Sequence, residues 1–147
     1  AIRSKKKLLI AGIIQDSNYF EQKVKPFLSD QVVYAGEAGP EKRNELMKNA
    51  LALLHPINFD EPFGLSVAEA MLCGTPVIAF NRGSMAELII HEKTGFLVNN
   101  IDQAIDAISN INTINRQECR NWSAEQFSQE KMVNEYIKLY NKVLRDY

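Results

Sequence analysis

The segment EPFGLSVAEAMLCGTPVIAF, residues 61–80, contains two glutamates, Glu61 and Glu69, on either side of a predicted helix start. The pattern predicts a loop, a short helix that begins near Gly64, a glycine stop at Gly74 and a buried strand. Gly64 has no side-chain oxygen, so the first backbone N–H groups of this helix lack an intramolecular acceptor. Free donors at the positive end of a helix dipole favour an anion, above all a phosphate.

The two carboxylates on either side of this helix start suggest what accompanies the phosphate. Glu61 lies in the preceding loop and Glu69 about one turn into the helix. Carboxylates repel phosphate but accept hydrogen bonds from hydroxyl groups, so a sugar diphosphate fits better than a bare phosphate. The residues alone leave another interpretation open: Gly64 forms a tight turn, Glu69 pairs with an Arg or Lys, and Glu61 is a solvated loop acid.

Five short apolar runs, each followed by a helical pattern, must position these residues. The runs are residues 7–14, 32–36, 51–56, 76–80 and 95–98. Ser17 is the expected N-cap of the first helix, Pro40 opens the second, and Ser84 with Glu87 forms a capping box in the fourth. Apolar strands that alternate with helices predict an α/β fold, a Rossmann-like doubly wound parallel sheet of about five strands. Ligands of such sheets bind outside the carboxyl ends of the strands.

The segment 115–147 is expected to form C-terminal helices that extend this single domain, residues 1–147. Its apolar residues recur at three- and four-residue spacings and form one stripe. We interpret that stripe as a core contact. It comprises Met132, Tyr136, Leu139, Tyr140 and Val143.

The composition excludes several classes of protein. With 17 basic and 18 acidic residues the formal charge is −1, which gives no field for nucleic acid. No run approaches the ~20 apolar residues of a transmembrane helix, and no secretory signal is recognisable. Cys73 and Cys119 match no metal or redox spacing, and Cys73 is expected to be a buried free thiol. A cytoplasmic protein is therefore expected.

The joint pattern of EPFGLSVAEA, GTPVIAF, NRGSMAELI and EKTGFLV resembles the E-x7-E signature region of retaining glycosyltransferases of the GT-B fold. These form group 1, family 4, and are related to glycogen and sucrose synthases. LLIAG, VVYAGEAG and LMKNALALLHP extend the resemblance over nearly the whole chain. The resemblance implies the C-terminal, donor-binding domain of a two-domain enzyme that transfers a hexose-type sugar with retention. The donor would be a nucleoside-diphosphate (NDP) sugar, with UDP the first choice, and no metal or other cofactor is required.

The resemblance also assigns roles by position. Glu61 would be the catalytic candidate and contact hydroxyls of the donor sugar, and Glu69 would bind the ribose. The backbone around four further residues would contact the sugar and diphosphate: Phe63, Gly64, Leu65 and Ser66. The nucleotide base would lie between Pro56 and the loop after the second strand: Gly36, Glu37 and Ala38.

The chain also departs from the family pattern. It begins after the strand and helix that usually contribute an Arg and a Lys to the diphosphate site, and those roles do not transfer to Lys42 or Arg43. The acceptor-binding N-terminal domain is expected as a missing partner, through which the protein could lie at a membrane surface. His55 is not expected to be that domain's catalytic histidine. Two alternatives are a non-catalytic nucleotide-sugar binding module and a GT-B nucleotide-sugar 2-epimerase.

Overall fold

The computed structural model describes residues 1–146, an α/β fold with five parallel strands. The strands are β1 (Leu8–Ile10), β2 (Val32–Tyr34), β3 (Leu53–His55), β4 (Val77–Phe80) and β5 (Gly95–Val98). The helices are α1 (Ser17–Tyr19), α2 (Pro40–Asn49), α3 (Leu65–Leu72), α4 (Met85–Leu88), α5 (Ile101–Asn110), α6 (Arg116–Phe127) and α7 (Gln129–Asp146). The predicted alternation of strands and helices is confirmed.

Hydrogen bonding divides the strands into two ladders. β1 pairs with β2, and β4 lies between β3 and β5, all in parallel. Within residues 1–146 no ladder joins β1 to β3. The five parallel strands were predicted, but their division into two ladders was not.

The core of the three-stranded ladder lies on both of its faces, because successive residues of β4 point to opposite sides. Val77 and Ala79 belong to a buried cluster with α3, α4 and Cys119 of α6. Ile78 belongs to a second buried cluster with β5 and α5. This arrangement confirms that helices cover the ladder on both faces, as a doubly wound fold requires.

The helix after β1 is irregular. α1 continues as a π-helical segment, Phe20–Val24, and a 3-10 turn, Lys25–Phe27. Pro26 has no N–H to donate, and its ring clashes with the carbonyl four residues earlier, which disfavours a regular α-helix. Asp16, rather than the predicted Ser17, is the N-cap, and its carboxylate accepts a hydrogen bond from the N–H of Tyr19 at 2.9 Å.

α6 and α7 confirm the predicted C-terminal helices up to Asp146, and Tyr147 lies outside the described residues. The interpretation of the α7 stripe as a core contact is wrong for this chain, because all five of its side chains are exposed. The exposed fractions are 53% for Met132, Tyr136 and Leu139, 61% for Tyr140 and 47% for Val143. Among the described elements, α7 packs mainly against α6, which leaves its apolar face uncovered.

The two cysteines differ in environment. Cys73 is only half-buried, so the prediction of a buried thiol at that position is wrong. Cys119 is fully buried, and its Sγ donates to the carbonyl of Thr94 at 3.3 Å. Burial raises the pKa of the Cys119 thiol to about 12. No helix in residues 1–146 is long and apolar enough to cross a membrane.

Candidate functional site

The first turn of α3 leaves backbone donors free, as the sequence predicts. Gly64 is the N-cap residue, with φ +94° and ψ 63°, and provides no side-chain cap. Its carbonyl accepts from the N–H groups of Val67 and Ala68, at 2.9 and 3.2 Å. The N–H groups of Gly64, Leu65 and Ser66 have no acceptor within the described residues. Three neighbouring N–H groups at the positive end of the helix therefore lack an intramolecular acceptor.

The left-handed backbone at Gly64 makes glycine necessary there. A positive φ is costly for residues that carry a Cβ atom. A Cβ atom on Gly64 would also lie 2.8 Å from Cε of Met85. The turn that leaves the three donors without an acceptor thus depends on this glycine.

A second turn, after β4, holds the loop that precedes α3. The N–H of Ser84 donates to the carbonyl of Glu61 at 3.0 Å, and its Oγ donates to the carbonyl of Phe63 at 2.7 Å. Arg82 donates from Nη1 to the carbonyl of Asn58 at 2.5 Å. The Ser84 hydroxyl therefore fixes this loop, and the predicted Ser84–Glu87 capping box is wrong: α4 has no side-chain cap.

Glu61 lies beside the helix start. A Cβ atom on Gly64 would be 3.6 Å from its Cγ, and its carboxylate forms no hydrogen bond or ion pair within residues 1–146. His55, at the carboxyl end of β3, is close enough to respond to the charge of Glu61. Burial lowers the pKa of His55, and Glu61 partly opposes that change. The Nε2 atom of His55 is buried without a partner in the described residues, so burial disfavours the charged imidazole beside the unpaired Glu61 carboxylate.

Glu69 forms an ion pair, which the sequence left as the alternative interpretation. Nη2 of Arg43, on α2, donates to Oε1 of Glu69 at 2.9 Å, and the side chains are 41% and 35% exposed. From the sequence, Arg43 was assigned no role at the diphosphate site. The contact joins residues 26 positions apart, and only the packing of α2 against α3 reveals it.

The loop predicted to flank the base follows β2. Gly36 has φ +74°, and its carbonyl accepts from the N–H of Gly12 at 3.0 Å. Glu37 and Pro56 are exposed, and Ala38 is half-buried. No hydrogen bond joins this loop to α3 in the described part of the chain. The loop leads directly into α2, whose Arg43 contacts Glu69 of α3. The predicted roles of these residues stay predictions.

Two further predicted site residues, Phe63 and Leu65, differ in the surroundings of their side chains. The Phe63 ring packs edge-on against Phe127, with centroids 5.8 Å apart, while Leu65 is 72% exposed. Two cavities of about 330 and 360 Å³ lie beside β1, away from the start of α3. In residues 1–146 no three His, Cys, Asp or Glu side chains are grouped to hold a metal ion. The start of α3 therefore lies outside both cavities.

Comparisons with known proteins agree with this geometry. The family described as "Glycosyl transferases group 1" matches residues 2–131. The chain is 32% identical over 149 aligned residues to N-acetyl-alpha-D-glucosaminyl L-malate synthase of Bacillus anthracis, covering 95% of the chain and 38% of that enzyme. The match to sucrose-phosphate synthase from Thermosynechococcus elongatus has 29% identity and a TM-score of 0.80, covering 96% of the chain and 39% of that structure.

A third match supports the fold alone. It is the Anabaena protein HepE in complex with UDP-glucose, with 21% identity and a TM-score of 0.76, covering 92% of the chain and 41% of that structure. The chain thus spans about two fifths of the length of the relatives it matches. The family match covers well over half of the chain, so this chain belongs to the group 1 glycosyl transferases.

Proposed function

We propose that this chain is the donor-binding domain of a retaining glycosyltransferase. The whole protein would transfer a hexose-type sugar from an NDP-sugar, with UDP as the first nucleotide to test, to an acceptor. Family membership supports the reaction class, and relatives of the same fold are named as synthases or bind UDP-glucose. Retention, the nucleotide and the independence from metal rest on the resemblance of the E-x7-E region.

The observation that carries this proposal is the start of α3. Three adjacent backbone N–H groups, of Gly64, Leu65 and Ser66, have no intramolecular acceptor and lie between two carboxylates. Backbone donors at a helix start bind phosphate oxygens, and the helix dipole contributes about 0.3–1 kcal/mol for an anion. The same donors would stabilise the negative charge that develops on the diphosphate as it leaves the sugar.

The carboxylates would recognise the two sugars on either side of the diphosphate. Glu61 is free of partners and lies against Gly64, so it can accept hydrogen bonds from hydroxyls of the donor sugar. Glu69 is one turn further along α3, where it would accept the ribose hydroxyls of the nucleotide. The loop of Gly36, Glu37 and Ala38, together with Pro56, would flank the base.

The acceptor site would lie in another part of a longer protein. The chain covers only 38% of the length of N-acetyl-alpha-D-glucosaminyl L-malate synthase, and a protein of that length has room for a second domain. The uncovered apolar face of α7 supports a further domain that packs against it. That domain, and basic residues that neutralise the diphosphate, belong to the proposal. A cytoplasmic location, with contact to a membrane only through that domain, also stays a prediction.

A ligand panel tests the proposal. Thermal unfolding of this chain would be measured with UDP, GDP, ADP and their common sugar conjugates, followed by calorimetry on each that binds. A ligand at 100 times its Kd stabilises the folded state by about 2.7 kcal/mol. For a chain of this size that corresponds to a rise of roughly 5–10 °C in Tm. Binding of no nucleotide or nucleotide sugar would contradict the proposal for this chain.

Three variants separate the proposed roles. Glu69→Ala should weaken binding of the bare nucleoside diphosphate, because it removes the ribose contact. Glu61→Ala should leave that affinity unchanged and remove the additional affinity that the donor sugar provides. Glu125→Ala, an exposed acid of α6 outside every ion pair of residues 1–146, is the matched control. Equal loss of nucleotide affinity in the Glu61 and Glu69 variants would contradict these assignments.

A further inference from the structure

The contact between Arg43 and Glu69 has a geometry that a simple surface ion pair does not explain. Nη2 of Arg43 donates to Oε1 of Glu69 at 2.9 Å, at the interface of α2 and α3. The Nε atom of the same guanidinium is buried and has no acceptor in the described part of the chain. The guanidinium is therefore partly withdrawn from solvent and keeps one donor unused.

This contact leaves part of the carboxylate available. Arg43 is the only residue of the described chain that donates a hydrogen bond to the Glu69 carboxylate, and it uses only Oε1. An ionised carboxylate has about four acceptor positions, so Oε2 can still accept hydroxyl groups. The Glu69 side chain is 35% exposed, which makes those positions reachable from outside the protein.

Arg43 is the nearest candidate to fix the orientation of this carboxylate. The neighbours of Glu69 on α3 are apolar and buried: Val67, Ala68, Ala70 and Met71. None of them can hold a carboxylate by hydrogen bonding, and the hydroxyl of Ser66, three residues earlier on α3, forms no hydrogen bond to Glu69 in the described chain. A partly exposed ion pair adds little to stability, but a planar guanidinium restricts the orientation of the carboxylate it contacts.

We infer that Arg43 is a positioning residue for nucleotide binding: it holds the Glu69 carboxylate in the orientation that accepts the ribose hydroxyls. This inference rests on the proposed role of Glu69. It assigns a function to α2, which begins directly after the loop proposed to flank the base. One short helix would thus connect recognition of the base with recognition of the ribose.

The test compares a ribonucleotide with an analogue that lacks both ribose hydroxyls. Calorimetry would give the Kd of the nucleoside diphosphate that binds the wild-type chain and of its 2′,3′-dideoxy form. A hydrogen bond to a charged group predicts that the wild-type chain prefers the ribonucleotide by about 10- to 100-fold. Glu69→Gln should reduce this preference, and its affinity for the dideoxy form should stay within about twofold of wild type.

The Arg43 variants then decide the inference. Arg43→Met should lower the ribose preference about fivefold or more while the dideoxy Kd stays within about twofold. Arg43→Lys should restore part of the ribose preference, and this variant takes the place of Arg43→Met if Arg43→Met fails to fold. The double variant Arg43→Met/Glu69→Gln should be no worse than Glu69→Gln alone. Lys48→Met removes the same charge from an exposed position of α2 and should change neither constant.

Each contrary result has a distinct meaning. An unchanged ribose preference in Arg43→Met would show that the ion pair is only a surface contact. Equal weakening of both nucleotides would show that the guanidinium contacts the phosphates or the base, and would also overturn the inference. Failure of the wild-type chain to bind any nucleoside diphosphate would refute the proposed function, and the inference with it. The wild-type measurement alone separates that case from the other two.

Discussion

Gly83→Ala is the sharpest test of how the fold holds the loop before α3. A Cβ atom at residue 83 would lie 2.5 Å from the backbone N and 2.6 Å from the backbone O of Glu61. It would also lie 2.9 Å from the carbonyl carbon of Asp60. These are backbone atoms, so no side chain can rotate away from the clash. The peptide of Glu61 would have to withdraw by about 0.9 Å to reach ordinary contact.

The expected cost follows from two terms. Gly83 has φ +55°, a left-handed conformation that costs an alanine about 1–2 kcal/mol. Withdrawal of the loop would also break the hydrogen bond from the N–H of Ser84 to the carbonyl of Glu61, worth about 0.5–1.5 kcal/mol. The free energy of unfolding should therefore fall by about 2–3 kcal/mol, and Tm by roughly 5–10 °C.

The assay is urea and thermal unfolding of Gly83→Ala beside Gly36→Ala. Gly36 also has a positive φ, +74°, but a Cβ atom there would meet nothing within 4 Å. The Gly36 variant thus measures the backbone term alone, and the difference between the variants measures the clash with the loop. Gly83→Ala should also weaken binding of the proposed donor, because Glu61 moves. Equal loss of stability in both variants would refute the account of this turn.

Three further predictions concern side chains away from that turn. Leu139→Ser, on the exposed face of α7, should change the free energy of unfolding by less than about 0.5 kcal/mol. Met71→Ala, in the core, should lower it by about 2–5 kcal/mol. A large loss of stability in Leu139→Ser would show that α7 packs within this chain. Burial raises the pKa of Cys119 to about 12, so its contribution to stability should be lost as pH rises above about 9, where the unfolded thiol ionises. A thiol reagent at pH 8 should react with Cys73 alone until the chain unfolds. Two thiols that react equally fast would contradict this prediction. The pKa of His55 is lowered by burial, so the free energy of unfolding should decrease as pH falls below 6.5, because the unfolded chain binds a proton more readily. In urea unfolding, His55→Gln should reduce the slope of this free energy against pH. An unchanged slope would assign the pH dependence to other groups.

Local chemistry made part of the site predictable. Gly64 was expected to start α3 without a side-chain cap, and Pro40 to open α2, because each residue has a backbone preference that acts within one turn. The apolar run in β4 indicated a strand buried on both faces, which the two clusters around Val77 and Ile78 confirm.

The features that sequence missed depend on contacts distant along the chain. Ser84 matched a capping box, but its hydroxyl donates to Phe63, 21 residues away, because the two loops meet at the end of β4. No sequence pattern assigned Arg43 a role, because only the packing of α2 against α3 brings it to Glu69. The stripe of α7 was read correctly as apolar, but a periodic pattern does not reveal whether its partner lies within the same chain.

The central claim is that the start of α3 binds the diphosphate of a nucleotide sugar. The most direct measurement is the change in backbone amide NMR shifts of the 15N-labelled chain on addition of UDP, compared with uridine and with the GDP and ADP series. The account predicts that the amides of Gly64, Leu65 and Ser66 shift most with the diphosphate of the preferred base and little with its nucleoside. A nucleotide that binds without moving these three amides, or that shifts residues around the cavities beside β1 instead, would contradict it.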